Sequence, residues 1–156
     1  MIRQTGYRLT ATLDRNQFIV RDNLYIIVYR YNNVDLRFLL GLINSQLLQW
    51  FYSTIINPEI GEALAQVKRG HLAQLPIRTI DFDNPTDSAH HDKMTQLVEK
   101  MLDLHQQLAT ANVPQTKTAL TRQIDATEKL IDKLVYQLYD LTAKLKWWIK
   151  RSESHF

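Results

Sequence analysis

The chain is expected to be an α+β protein. It should hold a partial β-sheet with one packed core helix, followed by a long antiparallel helical hairpin. Three observations lead there. Leu9, Ala11 and Leu13 alternate with Thr10 and Thr12, the period-two signature of a strand. Leu36, Leu39, Leu40, Ile43, Leu47, Trp50, Phe51 and Ile55 then recur at spacings of three and four, which is a helix with one apolar face. Beyond residue 91 two heptad seams follow one another across a short loop.

Residues 7–30 carry the strand signals. Asp14-Arg15-Asn16-Gln17 is turn-forming, Phe18-Ile19-Val20 follows, and Asp22-Asn23 breaks the pattern. Residues 24–29 are β-branched and aromatic at nearly every position, which predicts a strand buried on both faces of a β-meander. Asp35 is the expected N-cap of the core helix, and Asn57-Pro58 its stop. Residues 58–71 read as a polar loop or short element, and Leu75-Pro76-Ile77 as a short extended segment. Residues 81–91 read as a linker with Pro85 and clustered Asp, Asn and Ser.

The first seam is Met94, Leu97, Met101, Leu104, Leu108 and Ala111. Asn112-Val113-Pro114 interrupts it. The second is Leu120, Ile124, Thr127, Ile131, Leu134, Leu138 and Leu141. A short loop between two such seams predicts an antiparallel pair over 92–141, with polar Thr127 either setting the register or marking a weak point. Residues 142–156 form a basic tail with Trp147 and Trp148. The expected organisation is thus 1–80, a linker at 81–91, a hairpin arm at 92–141 and a tail at 142–156.

Charge divides along the same lines. Residues 1–80 hold nine Lys/Arg against five Asp/Glu, residues 81–141 six against ten, and residues 142–156 four against one. The front part can therefore face an anionic partner, whereas the hairpin is poorly suited to one. The absence of cysteine excludes disulfides, thiolate metal sites and cysteine nucleophiles, and fits a cytoplasmic location. No apolar run reaches the roughly 20 residues that span a bilayer, so no membrane partner is expected.

Several motifs occur in a familiar order. They are Arg3-Gln4-Thr5-Gly6, Asp22-Asn23-Leu24-Tyr25 and Leu39-Leu40-Gly41-Leu42-Ile43-Asn44-Ser45. Ala65-Gln66-Val67-Lys68 follows, with Leu72 and Leu75-Pro76-Ile77, and the series closes on residues 131–139, Ile-Asp-Lys-Leu-Val-Tyr-Gln-Leu-Tyr. Together, over roughly residues 2–141, they resemble the TaqI-like C-terminal specificity domains of restriction–modification enzymes, which are related to type I restriction specificity subunits. The resemblance implies a module that chooses a DNA sequence and performs no chemistry. It implies double-stranded DNA as partner, with a methyltransferase or endonuclease module in cis or in trans. Domains of this family carry more β-structure ahead of the Arg3 motif. A chain that opens on it with Met1 is expected to be a fragment or split partner of a larger enzyme, or a minimal version.

No catalytic constellation emerges. Asn57-Pro58-Glu59-Ile60 lacks the second proline and the aromatic that hold a flipped base in an amino-methyltransferase. None of the four glycines belongs to a GxGxxG loop. Asp81 and Asp83 are not followed by the Glu-x-Lys of a metal nuclease, and His90-His91 has no second ligand pair at suitable spacing. No cofactor, metal or catalytic residue is expected. Phosphates call for Lys and Arg, guanine for Arg, and adenine for Asn or Gln. The DNA-binding candidates are therefore Arg3, Gln4 and Arg8 near the first strand, and Gln66, Lys68, Arg69 and His71 in the loop after the core helix. Solvated charges and a Gln66 that caps a turn are the plain alternative. Leu120, Ile124, Ile131, Leu134 and Leu138 are the candidate docking residues for a partner module or for a second copy of the hairpin. A second reading remains open, an adaptor or DNA mimic that docks through the acidic hairpin without binding DNA.

Overall fold

A computed structural model describes residues 1–6, 8–28, 34–58 and 66–153, the side chains of Lys150, Ser152 and Glu153 excepted. Its elements are β1 (Ile2–Arg3), β2 (Leu24–Tyr25), α1 (Leu36–Asn44), α2 (Gln46–Phe51) with a π-helical turn over Tyr52–Ile56, α3 (Arg69–Leu72), α4 (Pro85–Thr110), α5 (Pro114–Leu138) and α6 (Ala143–Glu153). The α+β class and the long helical pair are as expected.

The core helix begins where expected. The Asp35 carboxylate accepts from the Arg37 N–H at 2.7 Å, which occupies one of the free donors of the first turn. The apolar run is then cut at Ser45, which ends α1 and caps α2 by accepting from the Leu48 N–H. The Gln46 N–H donates to Asp132 of α5 at 2.9 Å, so a buried carboxylate sits at the α2 N-terminus. Before Asn57-Pro58 the last turn widens, and the Asn57 N–H reaches the Tyr52 carbonyl at 2.8 Å.

The helical pair starts earlier than the linker reading places it. Asn84 accepts from the Thr86 and Asp87 N–H groups, and Pro85 occupies the first turn, where its missing N–H costs nothing. Residues 85–91 are therefore helix: the cluster of Asp, Asn and Ser that reads as linker is a capping sequence. Pro114 likewise opens α5. That helix ends in a Schellman turn, with Asp140 left-handed at φ 47° and the Leu141 N–H on the Tyr136 carbonyl at 3.1 Å. Thr127 is buried in the seam and satisfies its hydroxyl on the Gln123 carbonyl at 2.8 Å, within its own helix. Residues 143–153 are helix α6, capped by Thr142.

One core joins these helices. Phe38, Leu42, Leu47 and Leu48 from α1 and α2 pack with Met94, Leu97 and Val98 of α4, with Ile131, Leu134, Val135 and Leu138 of α5, and with Ile149 of α6. Gly41 permits the α1–α4 contact. A Cβ there would lie 2.5 Å from Met94 Sδ and 2.9 Å from a Val98 methyl.

The β-part departs most from expectation. Among the described residues of 7–30 no meander forms: the paired strands are two residues long, with isolated bridges Ile2–Ala11 and Thr5–Gln66. The apolar run after residue 23 pairs only at Leu24 and Tyr25; Ile26 is 59% and Val28 69% exposed, so it is not a strand buried on both faces. Ile19 is 99% exposed. Apolar β-branched sequence favours extended backbone, but a buried strand also needs partners on both sides, and none is present among the described residues. Tyr29 lies outside them. A second, smaller core of Ile2, Leu9, Ile43, Tyr52, Val67 and Leu75 joins this part to the helices.

Candidate nucleic-acid interface

The segment 1–5 is the hub of the front face. Its backbone pairs with residues 10–12 through Arg3 N–H to Thr10 (3.0 Å) and Thr12 N–H to Met1 (2.9 Å). It also pairs with β2 and, through Val67 N–H to the Gln4 carbonyl at 2.8 Å, with residues 66–67. That last pairing brings Arg3 and Gln4 of the first candidate group, Arg3, Gln4 and Arg8, to the start of the second, Gln66, Lys68, Arg69 and His71. Arg3, Arg8, Gln66, Lys68 and Arg69 are exposed, while Gln4 and His71 are half-buried. At Gly6 the chain turns with φ 128°, and a Cβ there would lie within 3.6–3.9 Å of the Arg3 guanidinium. Arg3 Nε also donates to the Thr5 hydroxyl at 3.5 Å.

Two amide side chains hold the segment 9–11 that pairs with residues 1–3. Asn44 accepts from the Ala11 N–H and donates to the Ala11 carbonyl, both at 3.0 Å. Gln49 does the same for Leu9 at 3.0 and 2.8 Å, and also donates to the Ile43 carbonyl. Each side chain stands in for a neighbouring strand, satisfying backbone groups that a sheet would otherwise pair. Sequence inspection missed both residues. The available signal was a set of amides, Asn44, Gln46 and Gln49, in the largely apolar run that α1 and α2 share.

His71 is used internally. Its Nδ1 lies 3.4 Å from the Tyr52 hydroxyl and 3.4 Å from the Lys68 N–H, which donates to it. The Lys68 side chain has no acceptor, so this cap at the start of α3 runs one way. Asn57 Nδ2 donates to the Tyr52 hydroxyl, which leaves that hydroxyl to donate to His71. Burial holds the Tyr52 phenol above its usual pKa, against the opposing pull of the Asn57 bond. Lys68 and Arg69 therefore project from a short helix anchored on the buried Tyr52.

The remaining front-half cations sort themselves by partner. Arg37 pairs with Asp35 at 2.6 Å and Glu99 at 3.1 Å, and Arg15 also pairs with Glu99, tying both to α4. Those contacts hold the Asp35 and Glu99 carboxyls below their usual range and push the guanidiniums up. Arg78 bridges to the helical pair. Its Nη2 donates to both Asp87 oxygens at 3.2 and 3.3 Å, its Nε donates to the Leu138 carbonyl, and its N–H donates to the Tyr139 hydroxyl. Arg30 lies outside the described residues. Among the described front-half residues the exposed basic groups are Arg3, Arg8, Arg15, Arg21, Lys68 and Arg69; Arg15 is tied to Glu99, and Arg3, Lys68 and Arg69 lie within three residues of the Thr5–Gln66 bridge.

The proposed docking residues lie elsewhere. Leu120, Ile131, Leu134 and Leu138 are buried and Ile124 is half-buried, all along the inner side of α5. His91 is buried between Phe38 and Phe82. Its Nε2 accepts from the Asp35 N–H at 3.1 Å, so its Nδ1–H donates to Asp92 at 3.1 Å. Among the described residues no cluster of His, Asp and Glu is suited to a metal, and no helix is long and apolar enough to cross a membrane.

The Type II restriction enzyme and methyltransferase RM.Eco57I of Escherichia coli is similar to this chain. It is 29% identical over 121 residues, covering 75% of the chain, and the chain spans 12% of that protein. An alignment of that length extends beyond residues 1–77. No solved structure matches. The family model of the TaqI-like C-terminal specificity domain matches residues 1–77, the stretch from the Arg3 motif to Leu75-Pro76-Ile77. Over residues 1–77 the chain is thus similar to the TaqI-like C-terminal specificity domains, the resemblance that its motifs carry.

Proposed function

We propose that the chain is a non-catalytic target-recognition module of a restriction–modification or DNA methyltransferase system, acting in the cytoplasm. It binds duplex DNA through the front face and positions a methyltransferase or endonuclease module in cis or in trans. Arg3, Arg8, Lys68 and Arg69 neutralise phosphates or reach guanine. Gln4 and Gln66 have the donor–acceptor pair suited to adenine. His71 sets the position of Lys68 and Arg69. The observation that carries the reading is the pairing of residues 4–5 with 66–67, which gathers residues far apart in sequence on one edge. The match of the same segment to the TaqI-like C-terminal specificity domain supports it. The partner module meets the helical pair on its outer faces, where Leu130 is 48% exposed, since the inner seam is occupied by the chain itself.

Fluorescence anisotropy with a mixed-sequence duplex tests this reading. Binding is expected at low salt, with log affinity falling by about 0.9 per neutralised phosphate for each decade of salt. Replacing Lys68 and Arg69 with alanine should weaken binding and flatten that slope by about 1.8. A folded wild-type protein that binds no duplex at low salt would defeat the proposal. Unchanged affinity in the double variant would remove the loop from it.

A further inference from the structure

Helix α6 presents two contrasting faces. Inward, Ile149 is fully buried in the main core, Leu145 packs against the same core, and Lys146 Nζ lies 5.9 Å over the Tyr136 ring. Outward, Lys144, Trp147, Trp148 and Arg151 follow at i, i+3, i+4 and i+7, one continuous helical stripe. All four are exposed, and the two indoles remain 51% and 54% accessible. The rings meet edge to face at 5.4 Å, and the Arg151 guanidinium lies 5.0 Å over Trp147. No acidic residue occurs anywhere in 142–152.

Exposed indoles set among cations are costly on a surface that touches only water, and the pattern suits an anionic partner with flat apolar faces. A membrane surface fits poorly. An interfacial helix inserts its apolar side, and the apolar side of α6 is already in the core. Nucleic acid fits both halves of the stripe. Phosphates take the cations, and the deoxyribose faces along the duplex backbone offer apolar surface to the indoles.

We infer that the Lys144–Trp147–Trp148–Arg151 stripe is a second DNA contact, a sequence-independent clamp on the duplex backbone. It rests on the DNA-binding reading above. Its anchor, α2, runs on into the π-helical turn that touches the front loop. α6 packs on α2, and the π-helical turn that continues α2 holds His71 through Tyr52.

The test uses the full chain and the same mixed-sequence duplex. DNA should quench the exposed indole emission. Lys144→Gln with Arg151→Gln should weaken binding about tenfold at low salt and reduce the salt slope by about 1.8. Trp147→Phe with Trp148→Phe, which keeps an aromatic ring but removes the wider indole face, should weaken binding several-fold with an unchanged slope. If the front-loop variant K68A/R69A loses affinity while both α6 variants bind like wild type, the clamp is refuted and the front-face reading stands. If wild type binds no duplex, both fall. Phosphatidylserine vesicles or a poly-glutamate peptide that quench the indoles while DNA does not would assign the stripe to another anion and overturn the clamp.

Discussion

Residues 1–25 and the α4–α5 pair solve the same problem, satisfying backbone and burying apolar surface, by opposite routes. In the pair each peptide group finds its partner four residues away, and the seam residues face one another along the whole length. In the front segment almost nothing is local. Met1, Arg3 and Gln4 pair with residues 10–12, 23 and 66–67, while Ala11 and Leu9 hang on Asn44 and Gln49. The helices are thus built by repetition and tolerate single losses of hydrogen bonds. The front face depends on a few long-range bonds, each irreplaceable by a neighbour. The contrast has a functional side, because the residues proposed to read DNA sit on the part with the least local support.

The contrast breaks most visibly if the helical seam is attacked. Replacing Leu134 with aspartate places a carboxylate in the shared core and should cost several kcal/mol, on the order of 3–5. Circular dichroism should show a large loss of helix and early melting. A variant with full helicity and unchanged melting would mean that Leu134 is not buried in the seam.

Gly41 tests the junction between the two parts. Leucine there would collide with Met94 and Val98, and overpacking of this kind costs roughly 1–3 kcal/mol. A denaturant midpoint equal to that of wild type would show that α1 and α4 do not approach as closely as described.

Asn44 sharpens the comparison. Alanine at this position removes both bonds to Ala11, a loss of about 1 kcal/mol because water can reach the freed groups in part. Hydrogen exchange at residues 9–12 should accelerate, while amides of α4 and α5 stay protected. Uniform acceleration throughout would show that the front segment and the helices open as one unit.

The smallest effect concerns pH. The Arg37 hydrogen bond, aided by the Arg37 N–H, holds the Asp35 carboxyl below its usual value. Its folded pKa is therefore depressed. The stability it contributes is complete above the ordinary value near 3.8 and disappears as pH falls through the lower, folded one. Melting temperature measured between pH 6 and 2 should drop less steeply in Asp35→Asn than in wild type. Parallel curves would mean that the Asp35–Arg37 pair does not contribute.

Much of this molecule was legible in its residues. Asp35 as a cap, Asn57-Pro58 as a stop, two seams across a three-residue break and the family motifs up to Ile77 all depend on chemistry within a few residues of themselves. Periodicity, capping and turn propensity are local, so a linear reading can find them. The start of α4 is not legible in the same way, because its capping residues have the composition of a linker.

Tertiary structure alone decided the rest. It paired residues 4–5 with 66–67 and so brought Arg3 and Gln4 to the start of the second candidate group. It gave Asn44 and Gln49 the work of a missing strand, tied Arg15 and Arg37 to Glu99 and Arg78 to Asp87, and left the apolar run at Ile26 and Val28 largely unburied. Each of these depends on which distant group arrives within hydrogen-bond or packing distance. The order of residues along a chain records what each can bond to, whereas only the folded path determines which of those partners is present.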